Sequence, residues 1–226
     1  MLKNPYPKIL PIASAGLPYI LILGIISAVL ALIPNTTSKV IGLIFLILTL
    51  FCIFFFRDPE RNIPQDPSFI LSPADGKILE IVEEVAPQLG EKVKVIKIFL
   101  SIFNVHIQRA PFSGKVVKID YKKGKFLDAR HPKASDENEN NSITIEGENC
   151  KMVVKQIAGM IARRILCWVK VGDRVERGTR LGIIQFGSQV DLFVPNDIEI
   201  ICHKGEDVVG GQTILALNKK AILKKI

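Results

Sequence analysis

From Ile9 to Ser38 the chain carries no charged residue, and that stretch decides where its N-terminal part can fold. Ile9–Ile33 is almost wholly apolar and long enough to cross a bilayer core, which takes about 20 residues. After the turn-rich connector Pro34–Lys39 comes a second apolar run, Val40–Phe56, near the short end of spanning length at roughly 17 residues. Two such runs joined by a short connector predict an antiparallel helical hairpin over residues 1–56, with helices over 9–33 and 40–56. Pro11 and Pro18 bend or delay the first helix. A re-entrant hairpin dipping into one leaflet fits the same pattern. A cleaved signal peptide fits worse, because its apolar core is about 7–15 residues long and no second run follows it. Lys3 and Lys8 flank the first run, Arg57 and Arg61 follow the second, and the connector holds only Lys39. The positive-inside rule then puts both ends of the hairpin in the cytoplasm. The expected location is the cell (inner) membrane, with the rest of the chain on the cytoplasmic side.

The 226 residues suffice for the hairpin and one further domain. A formal net charge of +8 and a pI near 9.3 favour an anionic bilayer surface as partner. Nucleic acid is not expected, because the interleaved aromatic and basic residues of a base-stacking platform are missing. Cys52, Cys150, Cys167 and Cys202 are scattered, and the three histidines have no metal-ligand spacing. Neither a disulfide framework nor a required metal is expected.

Residues 57–72 (RDPERNIPQDPSFILS) read as an extended linker, and 73–226 as a β-rich domain. Short β-rich runs bounded by turn residues recur at Lys77–Val82, Lys92–Leu100, Lys115–Tyr121, Ser142–Ile145, Lys151–Ile157 and Leu181–Ile184. Only Ala158–Leu166 reads as a short helix, and Asp128–Asn141 as an exposed polar loop. Two internal echoes stand out. Ala74–Ile78 resembles Phe112–Val116, and Gly172–Leu181 aligns with Gly205–Ile214 on G-[DE]-x-V-x-x-G-x-x-[LI]. The second pattern is similar to the half-motifs of biotinyl- and lipoyl-type β-sandwiches. The expected fold is therefore a transmembrane α-hairpin plus a mainly antiparallel β domain, with minor α and lipoyl-like β-sandwich repeats.

Gly187-Ser188 sits between two apolar runs. An amide followed by a serine is the minimum equipment for an N→O acyl shift. The hydroxyl attacks the preceding carbonyl and turns the peptide into an ester; elimination and hydrolysis then leave a pyruvoyl group at a new N-terminus. Such a ketone forms a Schiff base with an amine and withdraws electrons from it. A Gly-Ser pair alone is a common turn, so its weight comes from its company. Phe56-Arg57-Asp58-Pro59, Ser72-Pro73-Ala74-Asp75-Gly76, Phe103-Asn104-Val105-His106, Asn138–Asn141, Gln156–Ile165 and Phe186-Gly187-Ser188 follow one another in order. As a set, from about Arg57 to Ala216, they resemble the short form of the phosphatidylserine decarboxylases. Gln189 stands where that form commonly has Arg, and Asn138-Glu139-Asn140-Asn141 where it tends to Asn-Glu-Arg.

The resemblance implies a membrane-associated enzyme that converts phosphatidylserine to phosphatidylethanolamine and CO2 without a diffusible cofactor. Its pyruvoyl group would come from Ser188 by self-cleavage into a β-chain, 1–187, and an α-chain, 188–226. These would stay together as a heterodimer or a dimer of heterodimers. It also implies His106 as the base for Ser188, with Asp75 orienting the imidazole. Arg163 and Arg164 suit the lipid phosphate or carboxylate as well as a basic surface patch. His131, in the polar loop, is a weaker substrate contact, and His203 reads as a strand-end residue. The same chemistry on archaetidylserine would look identical in sequence. A membrane-anchored, non-catalytic adaptor built on lipoyl-like modules would account for the hairpin and the repeat, but not for the ordered motifs.

Overall fold

The structure is a computed structural model that describes residues 11–86, 88–128, 131, 133–160, 164–185 and 188–220. The chain divides into two units after Glu60, inside the expected linker.

In the first unit a 3-10 turn at Ser14–Gly16 leads into α1 (Leu17–Leu32), which pairs with α2 (Thr36–Phe55). The first helix starts later than the apolar run because Pro18 is tolerated only in an opening turn. The second starts earlier than expected. Asn35 is its N-cap, its side-chain oxygen accepting from the Thr37 amide at 2.8 Å, so the polar residues Thr36–Lys39 form the first helical turn. Gly42 lets the backbones approach, and Ser27 Oγ donates to its carbonyl at 2.8 Å. Arg57 closes α2 by donating to the Phe54 carbonyl at 2.9 Å. Ser14–Leu32, the 3-10 turn together with α1, and α2 are each long and apolar enough to cross a membrane. The 20 residues of α2 span about 30 Å, the thickness of a hydrocarbon core. Leu21, Ile25 and Val29 of α1 and Leu43, Ile47 and Leu50 of α2 are exposed, which leaves apolar surface uncovered on both helices.

The second unit is β-rich. Its strands are β1 (Phe69–Leu71), β2 (Gly76–Ala86), β3 (Glu91–Leu100), β4 (Ile107–Arg109), β5 (Gly114–Lys122), β6 (Asn140–Glu146), β7 (Lys151–Ala158), β8 (Arg164–Cys167) and β9 (Arg174–Val175). They continue as β10 (Arg180–Gln185), β11 (Ser188–Val194), β12 (Glu199–Ile200), β13 (Asp207–Val208) and β14 (Ile214–Leu217), with one short helix, α3 (Ala134–Glu137). An eight-stranded antiparallel sheet runs β13-β2-β3-β11-β7-β6-β5-β9, and two three-stranded sheets run β4-β10-β8 and β1-β14-β12. Side chains alternate along β11. Val190, Leu192 and Val194 join the main core with Ile96, Ile98, Val154, Leu181 and Ile184, while Phe193 joins a smaller cluster with Val93, Val95 and Val153. With both faces covered, β11 reads in sequence as a nearly continuous apolar run.

Three expectations need correcting. In the segment read as a helix, Ala158–Leu166, Ala158 ends β7 and Arg164 starts β8; Ala158 lies in the core and Ile165 packs against it as strand residues. The loop read as exposed ends in buried residues: Asn138, Asn140 and Asn141 face inward, and β6 begins at Asn140. The linker also takes part in the domain, since β1 pairs with β14.

The internal echoes have a structural counterpart. The Val116 amide donates to Asp173 O at 2.8 Å and the Gly172 amide to Val116 O at 2.8 Å; in the other copy Ile78 donates to Glu206 O at 2.9 Å and Gly205 to Ile78 O at 2.8 Å. Gly172 and Gly205 hold positive φ, 100° and 88°, which the tight turn requires. The two echoes thus pair with each other, β9 on β5 and β13 on β2.

Candidate active site

Ser188 opens β11 at the centre of the large sheet, opposite Leu100, the last residue of β3, and Ala158, the last of β7. Three strand ends therefore meet at the hydroxyl. It points to the core side, is fully buried, and has no hydrogen-bond partner among the described residues. Burying an unpaired hydroxyl costs about 1–3 kcal/mol, so the serine does not stabilise the fold at this position. Gly187 lies outside the described residues.

His106 comes to the same edge by a tight turn. Asn104 closes the turn after β3, its side-chain oxygen accepting from the Ser101 amide and hydroxyl, each at 2.8 Å. The His106 carbonyl accepts from the Ile184 amide at 3.2 Å, and four further residues of chain, reaching at most about 14 Å, lead to Ser188. The ring is fully buried. Its Nδ1 sits 3.0 Å from the Asn104 carbonyl. A carbonyl only accepts, so Nδ1 carries the proton and Nε2 keeps its lone pair in the neutral ring. That is the tautomer a general base needs.

Asp75 has other partners than the imidazole. One carboxylate oxygen meets Arg61 Nη2 at 2.8 Å and the other accepts from the Gly210 amide at 2.8 Å. Arg61 also reaches Gln212. The pair is nearly buried and ties the start of the domain to the segment around Gly210 and Gln212. The orienting contact that the resemblance assigned to Asp75 is supplied in the structure by the Asn104 carbonyl. Arg164, on β8 opposite Gln185, is exposed at the Ser188 end of the small sheet; Arg163 lies outside the described residues. His131 is exposed and its Nδ1 accepts from the Lys133 amide at 3.2 Å. His203 is exposed as well.

Sequence reading missed a polar cluster on the other face of β11. Asp191 is fully buried and accepts from Ser135 Oγ at 2.8 Å and from Gln189 Nε2 at 2.6 Å. Burial pushes its carboxyl up to about 6, against the pull of those two hydrogen bonds and of Lys155 and Lys97. Gln189, noted in sequence as a departure, is thus half of the clamp that holds α3 onto the sheet. The missed signal was a charge at an inward position of an otherwise apolar strand.

A family profile described as phosphatidylserine decarboxylase matches residues 48–216. The chain belongs to the phosphatidylserine decarboxylase family. It is 46% identical over 208 residues to the phosphatidylserine decarboxylase proenzyme of Geotalea uraniireducens, covering 92% of this chain and 96% of that one. The proenzymes of Geobacter metallireducens and Wolbachia pipientis are 43% and 44% identical, over 92% and 89% of this chain and 96% and 91% of theirs. The relatives are named as proenzymes, which directs attention to the Gly187-Ser188 bond. Among the described residues no three His, Cys, Asp or Glu side chains converge as a metal-binding group.

Proposed function

We propose that this chain is a pyruvoyl-dependent phosphatidylserine decarboxylase that activates itself by cutting between Gly187 and Ser188. The observation that carries the reading is the buried Ser188 hydroxyl, without a hydrogen-bond partner among the described residues, at the strand end to which the turn of His106 returns. It fits a residue that is to be converted and not kept.

In maturation, His106 Nε2 takes the Ser188 Oγ proton as the oxygen attacks the Gly187 carbonyl carbon. The C–N bond breaks, the nitrogen takes a proton, and an ester replaces the peptide. Loss of the Ser188 α-proton and cleavage of its Cβ–O bond release Gly187 as a carboxylate. Water then displaces ammonia from the remaining imine, leaving the ketone. Formed from Ser188 and held at the start of β11, a pyruvoyl group would supply a ketone for the substrate amine and a sink for the electron pair freed as CO2 departs. His106 Nε2 then supplies a proton to the substrate α-carbon, and exposed Arg164 offers a guanidinium fork to the lipid phosphate. Asp75 supports His106 from one step away. Its turn accepts the Arg109 amide on Pro73 O at 2.8 Å, three residues along from the histidine.

The hairpin spans the membrane with both ends in the cytoplasm, which keeps the domain beside a substrate that does not leave the bilayer. Phe103 and Met160, 66% and 60% exposed, stand on the two loops that leave the strand ends beside Ser188. They suit contact with the acyl region, and Arg164 with the headgroups. The test is intact mass and lipid conversion. Two chains are expected, the smaller beginning with a pyruvoyl group and blocked to Edman sequencing, with Ser188→Ala uncut and inactive. An uncut chain that still releases CO2 from phosphatidylserine would overturn the proposal.

A further inference from the structure

Three amide side chains cross the core in single file. Asn141 Nδ2 donates to Gln156 Oε1 at 2.9 Å, Gln156 Nε2 to Gln108 Oε1 at 2.7 Å, and Gln108 Nε2 to the His106 carbonyl at 2.8 Å. Gln108 and Gln156 are fully buried and Asn141 nearly so. Asn141 and Gln156 belong to β6 and β7 of the large sheet, and Gln108 to β4 of a small one. Gln156 is two residues before Ala158, the partner of Ser188. The chain therefore links the strand beside the nucleophile to the peptide of the base.

Its polarity is set at one end. The His106 carbonyl only accepts, so Gln108 must turn its nitrogen to it and its oxygen to Gln156. Gln156 must then turn its nitrogen to Gln108 and its oxygen to Asn141. Each amide has one arrangement, and flipping any one sets two like groups against each other. The fold also makes room for the chain. A Cβ on Gly182, which pairs with Gln108, would stand 2.9 Å from Gln156 Nε2 and 2.2 Å from the Leu166 carbonyl. Apolar side chains of the same volume would fill this space without desolvating three amides. A fully satisfied buried network instead selects one geometry.

We infer that Asn141, Gln156 and Gln108 are positioning residues that set His106 against Ser188 for self-cleavage. The inference rests on the proposed maturation of the chain. The carbonyl they hold belongs to the residue whose ring is fixed at Nδ1 by Asn104. A loose Gln108 would remove one of the two hydrogen bonds on the His106 carbonyl, the other coming from the Ile184 amide, and free the peptide that carries the ring to shift.

The experiment follows self-cleavage of full-length precursor against pH by gel and intact mass. Gln108→Glu is an isostere whose protonated carboxyl still donates to the His106 carbonyl and accepts from Gln156; ionised, it cannot donate. The rate relative to the parent chain should be close to one at low pH. It should fall by at least about tenfold as pH rises and the introduced carboxyl ionises, the loss of one buried hydrogen bond. The parent chain should change in the opposite direction, because its imidazole base must be neutral. Gln108→Met, which cannot donate at any pH, should be slow by a similar factor throughout. Should Gln108→Glu fail to fold, Asn141→Asp places the same titratable donor at the far end of the file. A relative rate that does not depend on pH, or a Gln108→Met variant that cleaves at the parent rate, would overturn the inference. A parent chain that never cleaves would instead refute the proposed function.

Discussion

Asp191→Asn should stabilise the protein at neutral pH and flatten its pH dependence. Asp191 is fully buried on β11, and burial raises its carboxyl from 3.8 to about 6. Between those values the folded state holds a proton that the unfolded chain has released, so stability falls as pH rises through this window and stays low above it. A rise of roughly two units corresponds to about 3 kcal/mol. The positive charges nearby do not cancel it: Lys97 is already held by Glu80 at 3.0 Å and Glu84 at 2.8 Å, and Lys155 acts through space. An asparagine keeps the shape, can accept from Gln189, and can donate to the Ser135 oxygen, so the clamp on α3 survives. The assay is urea unfolding of the uncleaved Ser188→Ala chain in detergent at several pH values between 4 and 8, with and without Asp191→Asn. The difference between the two curves should open by about 3 kcal/mol between pH 4 and 6 and then remain constant. Parallel curves, or a variant less stable at pH 8, would refute the account of Asp191 as a strained buried charge.

Asp75→Asn should slow self-cleavage while leaving the Gly210 contact in place, and Arg61→Gln should slow it less; equal rates for Asp75→Asn and the parent would remove Asp75 from maturation. Gly182→Ala forces a Cβ to within 2.2 Å of the Leu166 carbonyl and should destabilise the domain by about 3 kcal/mol, read as a lowered urea midpoint. For the loops proposed to meet lipid, Trp168→Phe removes the only tryptophan, and Phe103→Trp then reports on the Ser188 edge. Its fluorescence should be quenched in vesicles of brominated lipid. The same probe at Val85, exposed near the opposite end of β2 and β3, should not be; equal quenching at both would reject docking by this edge.

The helical hairpin was legible because two long uncharged apolar runs and a turn-rich connector in Ile9–Phe56 specify it by length and composition alone. Its helix ends were less so: Pro18 and Asn35 act through local geometry that hydropathy alone does not weigh. The strands with period-two alternation, such as Lys92–Leu100 and Lys151–Ile157, fall within observed strands. The Ala158–Leu166 segment misled because a short apolar run beside basic residues suits a helix or a strand equally, and the partner strand β10 decides it. The ordered motifs are what single out Ser188 and His106 in the sequence, and the structure brings both to one edge of the large sheet. Gln108, Gln156 and Asp191 were not legible, because a polar residue at an inward position of a strand is recognised only once its partner from a distant element is known.

The strand that carries Ser188 is the middle of the large sheet, with β3 on one side and β7 on the other. If the cut falls where proposed, that strand belongs to the shorter of two polypeptides, yet it was laid into the sheet while the chain was still one. Folding would then be unimolecular before the cut and bimolecular after it. The precursor held uncut by Ser188→Ala should regain its fold after denaturant is removed, at a rate independent of concentration. The mature protein, once denatured, should regain it slowly, with second-order kinetics, or aggregate. An enzyme matured in this way would be hysteretic: its assembled state would be inherited from a molecule that no longer exists.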